Sequence, residues 1–188
     1  LSRKSILQAV LARNVEFSPR IRQDIDVIYM VAPPSQARGI KPQLKFFDAG
    51  EIPVLASSHL FNGNTNPSLD KDINEVVFTQ TPWLLKAGTT PLHQQLKKLW
   101  PADMARNSKL FALGADAFNL VPFLERMQED SGFYKDGYTG TLSSDNRGRI
   151  HRELLWAKFT KGLVELEDTT VLEMEAVTED EEAIPATP

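Results

Sequence analysis

One supersecondary unit near the amino end constrains this chain more than anything else in it. After Asp26, the run Val27-Ile28-Tyr29-Met30-Val31-Ala32 is apolar without a break and rich in β-branched side chains. A short, continuous apolar run predicts a strand covered on both faces, as in parallel sheets. Pro33-Pro34 stops it. Ser35 is placed to cap a helix over about residues 36–47, which Gly50 ends. Ile52-Pro53-Val54-Leu55-Ala56-Ser57 then reads as a second buried strand. Two such strands joined through a helix by short connections make a βαβ unit, so the fold class is α/β with a parallel sheet.

The rest of the chain adds helices and a hairpin. Residues 58–72 are rich in Asn, Pro, Gly and Ser and predict an irregular loop. A short strand is expected at Val76-Val77-Phe78, and Thr81-Pro82-Trp83 reads as a hinge or crossing. Thr90 is placed to cap a helix with Pro91 at its first position, and Leu92, Leu96, Leu99 and Trp100 share one face of it. Ser108 is expected to open the strongest helix, with Leu110, Leu113, Ala117, Val121, Leu124 and Met127 as its buried stripe. Pro122 should kink that helix, because its nitrogen carries no proton for the carbonyl of Phe118. Asp145-Asn146-Arg147-Gly148 is a turn between a strand near Tyr138–Leu142 and a return strand over about residues 149–159. Beyond Gly162 the chain turns acidic, and this tail is expected to be disordered.

Charge is unevenly spread. The net charge is -4, but residues 165–188 hold nine acidic and no basic residues, so the preceding body has 21 basic against 16 acidic ones. A mildly basic body hints at an acidic partner. Cysteine is absent, which excludes disulfides, thiolate metal sites and a cysteine nucleophile. No stretch approaches the ~18 apolar residues of a membrane span. The chain begins at Leu1 and reads as part of a longer protein.

No constellation of catalytic residues stands out. In Ser57-Ser58-His59, adjacent side chains of an extended segment point opposite ways, and a Gly-x-Ser-x-Gly elbow is missing. Asp70-x-Asp72-x-Asn74 matches the opening of a calcium loop, yet Glu75 stands where the turn glycine belongs and Thr81 where the bidentate glutamate belongs. His59, His93 and His151 lack metal-ligand spacing. No phosphate-cradling loop and no nucleic-acid-binding pattern is present, so neither a cofactor nor a nucleic-acid partner is expected. Ser57, Ser58 and His59 fit better as the end of a strand lining a cleft, since ligands gather at the carboxyl ends of strands in open α/β sheets. Trp83, beside Pro82 at the crossing, is the tryptophan placed to touch a cleft or partner; Trp100 and Trp156 read as packing residues.

Several strings carry a resemblance. Gly140-Thr141-Leu142, Asp145 and Gly148-Arg149 on the hairpin, with Gly114-Ala115-Asp116-Ala117-Phe118 on the long helix, look like type I periplasmic binding proteins. Four further strings narrow the match: Arg22-Gln23-Asp24-Ile25-Asp26-Val27-Ile28, Arg38-Gly39-Ile40-Lys41-Pro42-Gln43-Leu44, Pro82-Trp83-Leu84-Leu85 and Gly148-Arg149-Ile150-His151-Arg152-Glu153-Leu154. In order and spacing the set resembles the LppC family over roughly residues 20–162.

The resemblance implies a periplasmic-binding-protein-like type I fold, two lobes of parallel sheet with flanking helices, of which this chain covers the later part. It divides the chain into an N-terminal helical or linker segment (1–23), a second-lobe βαβ unit (24–80), a crossing with return helices and a terminal hairpin of the first lobe (81–162), and the acidic tail (163–188). It also implies a non-catalytic regulator at the periplasmic side of the outer membrane of a Gram-negative bacterium. That regulator would bind a class A penicillin-binding protein and stimulate transpeptidation. A small ligand in the interlobe cleft, near Ser57, Ser58, His59 and Trp83, is the alternative role. Contact with a membrane would run only through an N-terminal lipid anchor, and neither its cysteine nor the opening strands of the first lobe are in this sequence.

Overall fold

The computed structural model describes residues 3–12, 24–86, 88–130 and 132–167. The βαβ unit forms, but its helix opens at Pro34, with Ser35 inside it and no side-chain cap. Strand β1 (Ile28–Met30) leads through helix α2 (Pro34–Phe46) to β2 (Val54–Ala56), and the two strands run parallel. Pro34 occupies the first turn of α2, where its missing N–H costs nothing. The chain leaves that helix through Asp48 in the left-handed region. A short helix α3 (Pro67–Asp70) and a 3-10 turn over Lys71–Ile73 fill part of the expected loop, and β3 (Val77–Gln80) adds a third parallel strand. At the amino end, α1 (Arg3–Leu11) lies in the segment expected to be helical or linker.

After β3 the chain crosses through α4 (Pro82–Leu85) to α5 (Pro91–Leu99) and α6 (Pro101–Leu120). The Thr90 hydroxyl accepts from the His93 amide, so the expected cap is in place. Helix α6 begins about two turns before Ser108 and breaks at Asn107. Pro122 replaces the helix with a 3-10 turn over Val121–Phe123 before α7 (Leu124–Glu129), because the i−4 carbonyl loses its donor. Strands β4 (Tyr134–Asp136), β5 (Thr141–Ser144) and β6 (Ile150–Glu153) form a small antiparallel sheet.

Three expectations need correction. The return strand is not continuous: after β6 it re-forms as β7 (Leu155–Thr160), which pairs antiparallel with β3 in the main sheet. The phase of burial shifts at Leu154, and Ala157 and Phe159, not Trp156, enter the core. Leu163–Leu166, expected within the disordered tail, form β8 on the outer edge, giving the order β1-β2-β3-β7-β8. Residues 168–188 and 13–23 lie outside the described residues.

Further corrections concern which faces are covered. Register puts Met30, Ala56, Phe78 and Ala157 on one face of the sheet, all buried beneath α2 and the α3 turn region. Phe61, Phe78 and Phe159 pack there with ring centroids 5.2–6.3 Å apart. The opposite face carries Tyr29, Leu55, Val77 and Lys158 in register, and Val27, Tyr29 and Val31 are exposed, Tyr29 by 65 %. Strand β1 is thus covered on one face only among the described residues. Helix α6 likewise turns the unexpected side inward. Met104, Ala112, Asp116 and Leu120 are buried, while Leu110, Leu113, Ala117 and Val121 are exposed. Trp100 is 49 % exposed rather than a core residue.

Candidate functional site at the crossing

The carboxyl ends of β2 and β3 meet the crossing segment, and the candidate site is built there. Ser57 continues β2, its amide donating to the Met30 carbonyl at 3.1 Å. Ser57 Oγ lies 3.3 Å from His59 Nδ1, so residues two apart converge where adjacent ones cannot. Nothing among the described residues orients the imidazole from its other side, so the pair lacks the third group that activates a nucleophile. Its chemistry is that of a hydrogen-bonding surface.

Ser58 is fixed through its backbone. Its carbonyl accepts from Gln80 Nε2 at 2.9 Å and from Lys109 Nζ at 3.2 Å. Gln80 is fully buried at the end of β3; it also donates to the Phe61 carbonyl at 2.6 Å and accepts from the Thr81 amide at 2.9 Å. One side chain therefore ties the 58–61 turn to the start of the crossing. A buried primary amide that satisfies four groups is stable only when all are met, which makes this corner rigid. Lys109 reaches it from α6. Packing around the ammonium and then the nearby Arg152 guanidinium push its pKa below the ordinary lysine value.

Trp83 sits one turn into the crossing and is only 2 % exposed. Its indole N–H donates to Ser108 Oγ at 2.8 Å, and its ring packs on His93 and edge-on to Tyr138. It forms one wall of a cavity of about 830 Å3 whose other walls include Phe118, Phe123, Lys135 and Tyr138. Ser57, Ser58 and His59 are not among the residues that line this cavity. The four residues named from the sequence thus lie around one crossing but do not converge on a single point.

A second anchor holds the crossing to the small sheet. Asp116 of α6 is buried, and its carboxylate accepts from the amides of Tyr138 and Thr139 and from Thr139 Oγ1, each at 2.7 Å. The next residue, Gly140, has φ +145 and sits against the Glu153 carbonyl and the Arg152 stem. Gln80, Lys109, Asp116 and Arg152 were all missed from sequence as site residues. The available signals were a polar residue closing the apolar strand at Gln80 and an acid inside a helix at Asp116.

The other motifs are spent structurally. Asp70 is buried; one oxygen binds Arg38 Nε at 2.9 Å and Nη2 at 2.7 Å, and the other accepts from the Asn66 amide. Asn74 accepts from the Gly162 amide at 2.9 Å. The calcium-like spacing thus serves an ion pair and a turn. No group of three or more potential metal ligands occurs among the described residues, and no described helix is long and apolar enough to cross a membrane.

Comparison with known proteins extends this picture. The profile of the family described as LppC putative lipoprotein matches residues 2–162. The penicillin-binding protein activator LpoA of Vibrio cholerae is 33% identical over 155 residues, which is 81% of this chain and 25% of that protein. The chain therefore spans about a quarter of the length of these relatives. Among solved structures, the LpoA (YraM) C-domain from Haemophilus influenzae, described as a regulator of PBP1A, superposes with a TM-score of 0.66 at 23% identity, covering 88% of this chain and 49% of that one. A putative branched-chain amino acid ABC transporter protein from Chromobacterium violaceum gives a TM-score of 0.50 at 22% identity, over 83% of this chain and 52% of that one. These likenesses show the fold as α/β of the periplasmic-binding-protein-like type I class.

Proposed function

The chain belongs to the LppC family of putative lipoproteins, and on that premise we propose that it is a non-catalytic part of an activator of a bifunctional class A penicillin-binding protein. It acts from the periplasmic face of the outer membrane and stimulates transpeptidation by contact with the synthase. The observation that carries this reading is the family match across residues 2–162, joined to the 33% identity with an LpoA activator. The site chemistry supports it: a rigid, hydrogen-bonded corner with no activated nucleophile suits recognition better than turnover.

The test is binding of this chain to a purified class A penicillin-binding protein at two salt concentrations, after circular dichroism confirms folding. Saturable binding that raises crosslinking supports the reading. A folded chain that neither binds nor changes crosslinking sinks it. The strand-end corner at Ser57–His59 supports a second role, a cleft for a small amino-acid-like or peptide-like ligand. A dose-dependent rise in melting temperature would reveal such a ligand.

A further inference from the structure

We propose that the corner formed by Ser58, His59, Lys109 and Arg152 binds a compact anionic group, a carboxylate or a phosphate, of a small ligand. The inference rests on the reading of this corner as a ligand-facing cleft and is independent of whether the chain binds a synthase.

The argument is an inventory of unspent hydrogen-bonding groups. Both acceptor directions of the Ser58 carbonyl are taken, by buried Gln80 and by Lys109. Lys109 spends one of its three protons there and keeps two. When the Ser57 hydroxyl donates to His59 Nδ1, the neutral imidazole carries its proton on Nε2, which has no protein partner among the described residues. Arg152 makes no hydrogen bond or ion pair among them either, so its five N–H groups are free. Apart from the Ser58 hydroxyl, which can serve either way, what remains at the corner is donors.

Placement brings the cations together. Lys109 and Asp116 are seven residues apart on α6, hence on one face of the helix. Asp116 holds Tyr138 and Thr139, Gly140 beside them lies against the Arg152 stem, and from there the Arg152 charge acts on Lys109. Burial of the ammonium, and then the Arg152 charge, holds Lys109 below the ordinary lysine value. Neither is paired with a carboxylate among the described residues. Two like charges beside a row of donors, next to the carboxyl ends of parallel strands, favour an anion over a neutral group.

The experiment uses the whole chain labelled with ¹⁵N and with ¹³C at the lysine ε carbons, titrated with succinate and, separately, with inorganic phosphate. Saturable shifts at Lys109 and His59 are expected, with the Lys109 pKa rising in the presence of the anion. Lys109→Met and Arg152→Met should each weaken binding at least tenfold, whereas Lys98→Met on α5 should leave it unchanged. Saturation by succinate alone identifies a carboxylate ligand, and by phosphate alone a phosphate. Failure of both to saturate, or equal weakening by Lys98→Met, overturns the proposal. Lys109→Arg, which keeps the charge, guards against a folding artefact: it should retain binding, and its failure to do so in a folded protein would count against the site. Synthase binding measured on the same variants separates the two readings. If the unaltered chain binds the synthase but saturates with neither anion, this proposal alone is removed.

Discussion

At the scale of single residues, Asp116 is the side chain on which the most depends. Three donors from one loop converge on a carboxylate with almost no solvent contact. Asp116→Ala would leave two buried amides and a hydroxyl unpaired. A loss of about 3 kcal/mol is expected, read as a lower urea midpoint. Asp116→Asn, which keeps one acceptor, should lose less. His93 gives a pH signature. Its ring is buried on Trp83, Nδ1 has no partner, and burial followed by the Lys97 charge lowers its pKa from 6.5. A histidine whose folded value is depressed contributes stability in full above its unfolded value, and loses it as pH falls through the folded value. Urea stability should therefore decline on acidification below about 6.5, and His93→Gln should flatten that decline. An equally steep decline in the variant would reject the assignment. Sequence singled out Trp83 as a candidate site residue but gave neither of these two a buried role. An acid or a histidine within an amphipathic pattern looks like a solvated position, and only the tertiary neighbours show that it is enclosed.

At the scale of elements, local chemistry was legible and long-range pairing was not. Thr90 and Pro91 located the start of α5 and Pro122 the break after α6, because capping and proline geometry act within one turn, whereas Ser35 lies inside α2 and does not cap it. The strand after Gly148 was read as one element, yet it serves two sheets, since its partners β5 and β3 lie far apart in sequence. The inward face of α6 was misread for a similar reason. Asp116 must meet the 137–139 loop, and that contact rotates Leu110 and Leu113 outward. The clamp between α2 and α3 offers a test at this scale. Asp70 is nearly inaccessible while Arg38 keeps part of its surface in water. Arg38→Met strands a buried carboxylate and should cost about 3 kcal/mol. Asp70→Asn leaves a guanidinium that can turn to solvent and should cost less, as chemical denaturation of the two variants will show. At the junction of the sheets, Gly140→Ala would place a methyl group 2.1 Å from the Glu153 carbonyl at a backbone angle side chains avoid. It should destabilise by at least about 2 kcal/mol.

At the scale of the whole molecule, the sheet of parallel strands fixes where the strand ends open, and the distribution of charge decides what collects there. The fold class followed from the βαβ unit alone, whereas the coverage of its second face could not, because a continuous apolar run reads the same whether one or both faces are enclosed. Charge can be counted from sequence but acts through space. Residues 168–188 carry seven of the 25 acidic side chains and no basic ones; without them 21 basic residues face 18 acidic ones, and the net charge changes from -4 to positive. Unscreened fields reach ~10 Å at 0.1 M salt and further at lower ionic strength. A chain ended after Glu167 should therefore bind succinate several-fold more tightly than the full chain at low salt, because the long-range field no longer opposes the anion at Lys109 and Arg152. At high salt the two affinities should converge, since the field is screened while the short-range donors at the corner are the same in both. A difference that persists at high salt would mean that the removed residues compete for the corner by direct contact, not by their field. No difference at low salt would mean that the local donors alone set the affinity.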